Sequence, residues 1–80
     1  MKSIEHLVQM ANQIAAFHAA LPDHTEAVNG VAVHLRRFWE PRMRATLFQH
    51  LDDPACAALH PLVREAIDTH ADELRPAATR

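Results

Sequence analysis

Apolar residues recur at three- and four-residue steps along most of this chain, and nowhere alternate with polar ones as a half-buried strand would require. The spacing predicts an all-α protein, a small bundle of about four helices over roughly 4–20, 24–39, 41–51 and 61–74. In the first helix Ile4, Leu7, Val8, Ala11, Ile14, Ala15 and Leu21 form one stripe. Ser3 is placed to cap its start, and Pro22 stops it. The second helix buries Val28, Val31, Ala32, Leu35, Phe38 and Trp39. It opens on Asp23 with Glu26 three residues on, the order of a capping box. Gly30 interrupts it at about 1 kcal/mol relative to alanine, as a tolerated weakness or as the mark of a close approach by another backbone.

Proline sets the corners. The residue before a proline avoids helical angles, while proline itself suits the first position of a helix. Glu40-Pro41 therefore reads as a break and a restart, leading into a third helix with Met43, Leu47 and Leu51 inward. Asp53-Pro54 predicts one short turn capped by Asp53. His60-Pro61 opens the last helix, with Leu62, Val63, Ala66, Ile67, His70 and Leu74 on one side. No repeat or linker divides the chain, so residues 1–80 read as one helical domain with a frayed tail at 76–80.

Composition narrows the function classes. A core of this size supplies only about 3–5 kcal/mol unaided, and the lone Cys56 cannot form an internal disulfide. Added stability is then expected from oligomerisation, a homodimer included, or from a larger partner. The formal charge of −2 and pI near 6.3 leave no bulk cationic field for nucleic acid or membrane. No leader peptide and no apolar run near the roughly 20 residues of a membrane span are expected, which predicts a cytoplasmic protein. Seven histidines, at 6, 18, 24, 34, 50, 60 and 70, invite a metal site. No two have the spacing that puts both on one helix face, so only convergence of separate helices would supply ligands. His18 and His70 continue apolar stripes and read as core histidines. His6, His24 and His50 read as solvent-facing. Cys56 in "PACAAL" reads as a small packing residue, since no base or orienting group accompanies it.

The charge is unevenly placed. Residues 31–50 carry four arginines against one acid, while the flanking segments are net acidic. All four fall in "HLRRFWEPRMR", His34 to Arg44, with the only tryptophan. Phe38 and Trp39 continue the buried stripe and are expected in the core. Arg36 and Arg37 suit the last turn of a helix, where cations gain about 0.3–1 kcal/mol from the dipole. Arg42 and Arg44 fall in a first turn, where the dipole prefers acids, and local folding does not explain them. They pair with acidic helices such as the one bearing Asp68, Asp72 and Glu73, or they meet an acidic partner. His34 lies beside them and is either exposed without a role or part of the same surface.

Two blocks, "MANQIAAF" (Met10 to Phe17) and "HLRRFWEPRMR", together with a later "HPLVREAI" (His60 to Ile67), resemble the delta subunit of bacterial NAD-dependent formate dehydrogenases. The likeness spans nearly the whole chain. Its departures are Glu40 in place of an expected aspartate and His60 in place of a serine cap. The resemblance implies a non-catalytic accessory subunit that supports assembly, cofactor insertion or stability of the complex. No cofactor is expected in this chain. The catalytic alpha subunit is the implied partner, with molybdopterin guanine dinucleotide at molybdenum or tungsten, and iron–sulfur clusters and flavin complete the complex's cofactors. The expected docking surface is Arg36, Arg37, Arg42, Arg44 and His34, supported from below by Phe38, Trp39, Pro41 and Met43. The rival reading is a free-standing helical binder of nucleic acid or of an anionic pterin nucleotide.

Overall fold

Each expected helix forms, with side-chain caps at the starts of the first, second and fourth, and the first three end one or two residues earlier than their apolar spacing implies. The computed structural model describes residues 3–76. Helix α1 runs Ile4–His18, α2 His24–Phe38 and α3 Pro41–Gln49. A 3-10 turn follows at Pro54–Ala58, then α4 at Pro61–Thr69 and the single turn α5 at Ala71–Leu74. The last helix is thus two, because at His70 the backbone leaves helical geometry, with φ −115° and ψ 27°. Beyond Pro76 the tail expected to fray lies outside the described residues.

The caps match the sequence closely. Ser3 Oγ accepts from the His6 amide at 3.1 Å, Asp23 from the Glu26 amide at 3.1 Å, and Asp53 from the Ala55 amide at 2.9 Å. Such caps each contribute about 1 kcal/mol by satisfying amides that lack a helical partner. His60 performs the office of a serine. Its Nδ1 accepts from the Leu62 amide at 3.0 Å and α4 starts at Pro61 as expected.

Helix α2 is the central element, packed on α1 along one side and on α4 and α5 along another. The buried cluster joins Leu7, Val8, Ala11 and Ala15 of α1 to Ala27, Val28, Val31, Ala32 and Leu35 of α2. Leu47, Cys56, Val63, Ala66, Ile67 and Leu74 close it. Small residues on α1 and α2 let the two helices approach. Gly30 marks the tightest point, for a Cβ there would lie 2.3 Å from His18 Cδ2. The close approach is by an imidazole ring, not by backbone. His18 Nδ1 donates to the Ile14 carbonyl at 2.9 Å, so the ring cannot swing away without losing that bond. The expected stripe of α1 runs too long at its C-terminal end, where Leu21 is exposed past the helix.

Two polar side chains carry the corners. Asn12 reaches from α1 to the opposite loop, donating to the Ala58 carbonyl and accepting from the His60 amide, both at 2.8 Å. Arg44, in the first turns of α3, holds four carbonyls. Its Nε donates to Leu74 at 2.8 Å; one terminal nitrogen donates to Trp39, Arg36 and Leu35 at 2.8, 3.1 and 3.3 Å. These carbonyls end α2 and α5, where the dipole favours a cation, and among the described residues only that of Leu35 also accepts from a backbone amide, that of Trp39. The arginine that local helix chemistry left unexplained is explained by contacts far along the chain.

Three outcomes follow. Arg44→Met lowers unfolding stability by about 2–3 kcal/mol in urea titration, because charged hydrogen bonds to half-buried carbonyls are lost; Arg44→Lys recovers only a fraction, since one ammonium cannot span α2 and α5. Gly30→Ala destabilises by about 1–2 kcal/mol through overpacking, although alanine is the better helix former. In a His18→Ala background the same change stabilises by about 0.5–1 kcal/mol, and a double-mutant cycle reads the reversal.

The third concerns Cys56, whose thiol donates to the His50 carbonyl at 3.1 Å. Burial pushes its pKa above the ordinary value; the Arg64 cation acts the other way, and the nearby Asp53 charge adds to the rise. The folded thiol then keeps its proton when the unfolded one ionises, near pH ~8.5, so stability falls as pH rises beyond that point. The chain has no tyrosine and Lys2 as its only lysine, so few other groups titrate there. Cys56→Ala flattens the decline between pH 8 and 10, whatever its effect on stability at neutral pH.

Candidate functional site

Beside the core stripe, helices α1 and α2 each carry a second row of residues that the core covers only in part. On α1, Met10, Ile14 and Phe17 stand at i, i+4 and i+7, beside the buried stripe rather than on it. On α2, Gly30, His34 and Phe38 repeat at four-residue steps, again to one side of the buried positions. The two faces meet along an open groove of about 770 Å³. Gln13 and His18 join it from α1, Trp39 and Glu40 from the corner, and Met43 from α3. An aromatic row forms its wall. Phe17 meets His18 edge-on at 5.2 Å between centroids, His18 meets His34 at 6.4 Å, and His34 meets Phe38 at 4.8 Å. A shallower hollow of about 350 Å³ adjoins this row, bounded by Asn29, Gly30, Val33 and Arg37.

Phe17 is 77% and Phe38 71% exposed. The expectation that Phe38 lies in the core is therefore corrected, while Trp39, at 5%, is buried. The cause is the proline corner. Trp39 caps α2 in extended geometry, φ −83° and ψ 135°, and Glu40 before Pro41 is extended as well. A residue that leaves the helix no longer continues the 100° step of its predecessor. Trp39 turns under the corner and Phe38 stays outside.

The arginines of the same segment do not form one cluster. Arg44 is half-buried and bonded to carbonyls within the chain, so it is withdrawn from the free surface. Arg36, Arg37 and Arg42 are exposed and make no ion pair among the described residues. Arg36 and Arg37 are neighbours in sequence and so point to different sides of α2. Arg37 lines the shallow hollow; Arg42 follows Pro41 at the start of α3, next to the groove residue Met43. The acids expected as possible internal partners, Asp68, Asp72 and Glu73, are exposed, and none reaches Arg36 or Arg42. His34 and Met43 are half-buried in the groove, and Pro41 is exposed at the first position of α3.

The other candidate chemistry takes structural form. His24 bonds Glu65 at 2.7 Å on the surface; His70 donates to Asn29 at 2.8 Å and tethers α4 to α2. Among the described residues no group of three or more histidines, cysteines or acids is placed to hold a metal ion. No helix among them is long and apolar enough to cross a membrane. Ile14, expected in the core stripe, packs partly against the core and also lines the groove; Met10 and Phe17 carry a legible second stripe at i and i+7 that the core reading leaves out. Asn12 gave no such signal, because its partners lie 46 and 48 residues away.

The groove's lining holds no lysine or arginine, and the polar groups it offers are two histidines, Gln13 and Glu40. That chemistry favours an apolar protein surface over an anionic ligand. No curated protein and no solved structure matches the chain. Residues 6–67 match the family model of the NADH-dependant formate dehydrogenase delta subunit, FdsD, and the chain belongs to that family.

Proposed function

We propose that this chain is a non-catalytic accessory subunit that docks on the catalytic subunit of a formate dehydrogenase and supports its assembly, cofactor insertion or stability. Membership of the delta-subunit family carries the reading. Exposed cations without internal partners, Arg36, Arg37 and Arg42, support it, since arginine is enriched where proteins meet. The chemistry of formate oxidation belongs on this reading to the partner, which would carry the molybdopterin guanine dinucleotide, with iron–sulfur clusters and flavin elsewhere in the complex. Such a subunit works in the cytoplasm.

The rival, binding of nucleic acid or of a free pterin nucleotide, needs several cations converging on phosphate. Arg37 alone lines either hollow, Arg44 is committed to backbone carbonyls, and Glu40 sits in the larger groove. A small acidic chain with its arginines on different sides makes a poor phosphate cradle.

Co-expression of the complex with and without this chain tests the function. Without it, formate-dependent NAD reduction and the pterin content of the catalytic subunit fall together; unchanged activity and unchanged cofactor content would sink the accessory role. With the chain present, Arg36→Glu, Arg37→Glu and Arg42→Glu combined reduce co-purification about tenfold, while circular dichroism of the isolated chain is unaltered.

A further inference from the structure

Among the described residues the large apolar side chains left exposed are Phe17, Leu21, Val33 and Phe38. All lie on α1, on α2 or in the loop between them, and Phe17 and Phe38 stand on the rim of the one groove. A globular helix ordinarily needs a single apolar stripe. Here α1 bears a second one, Met10, Ile14 and Phe17, only partly packed on the core, and α2 adds Phe38 beside it, with both phenylalanine rings left exposed. The floor includes Met10 and Met43, whose unbranched thioethers adapt to a partner's shape.

We infer that this groove receives an amphipathic helix of the partner subunit, apolar at i, i+3 or i+4, and i+7, with aspartate or glutamate flanking those anchors. The inference rests on the accessory-subunit reading and adds to it the occupant and its chemistry. Size selects a helix of this kind. The groove's residues on α1 run from Met10 to His18, a span of about 12 Å at 1.5 Å per residue. Two turns of an incoming helix present three anchors over that distance, the helix-in-groove mode of recognition. Charge selects its flanks. Arg37 borders the hollow on the far side of the His18–His34–Phe38 row, and Arg42 precedes the groove residue Met43 at the start of α3. Both are exposed and unpaired among the described residues. Glu40, within the lining, excludes an acid from the helix's middle.

A second copy of this chain is the less suitable occupant. A stable symmetric dimer buries about 800 Å² on each partner, and a furrow two turns long with two projecting phenylalanines offers far less.

A photo-crosslinker in the assembled complex tests the proposal. With p-benzoylphenylalanine at position 38, the expected crosslink falls on one helix of a partner subunit having the stated apolar spacing and flanking acids. Phe17→Asp with Phe38→Asp then weakens association roughly 30-fold or more, as loss of central aromatic anchors does. Both positions are exposed, and unchanged thermal unfolding of the isolated variant verifies the fold. A crosslink to a second copy of this chain, or to a partner segment without that pattern, overturns the occupant. Full association of the double variant overturns the groove but leaves the accessory role standing. If the unaltered chain fails to associate with the complex at all, the accessory reading falls first and the occupant with it.

Discussion

The corner between α2 and α3 turns on one guanidinium. Arg44 donates to the last carbonyls of α2 and to the end of α5, so a single side chain closes two helix termini. Without it, carbonyls at a tight proline corner would face half-buried surroundings with no donor. The position looks wrong by local rules, because a cation early in α3 opposes that helix's dipole. It is favourable because the carbonyl ends of two other helices lie within reach, and several direct hydrogen bonds outweigh one dipole term.

The same corner creates the surface. Pro41 forces extended geometry on the residue before it, and Trp39 leaves the helix to pack beneath the turn. Phe38, still helical, remains outside beside His34. Exposing an aromatic ring of this size forfeits burial free energy of about 1.5–3 kcal/mol, so its position is a cost to the isolated chain. Phe17 opposes it across the groove with even greater exposure. The chain thus combines a small core with a partly uncovered apolar groove on its surface.

The reactive side chains take structural parts: His60 caps a helix, His70 tethers two helices, His18 and His34 stand in an aromatic wall, and Cys56 donates to a carbonyl from within the core. The tight seat of His18 against Gly30 fixes the distance between α1 and α2. That distance sets the groove's width, so packing inside the domain controls what fits on its surface.

The sequence by itself determined the class of fold, the helix starts and the proline corners. Those follow from local chemistry: caps act over three residues, proline over one or two, and apolar periodicity within a single helix. It also marked the arginine–aromatic segment as unusual and carried the family resemblance. The division of labour inside that segment was decided only in three dimensions. Arg44 finds carbonyls 5 to 30 residues away, and Asn12 joins groups more than 40 residues along the chain. Residues at that separation leave no periodic trace. Met10, Ile14 and Phe17 did leave one, yet whether a stripe becomes core or groove depends on what packs over it, and only the tertiary arrangement decides that.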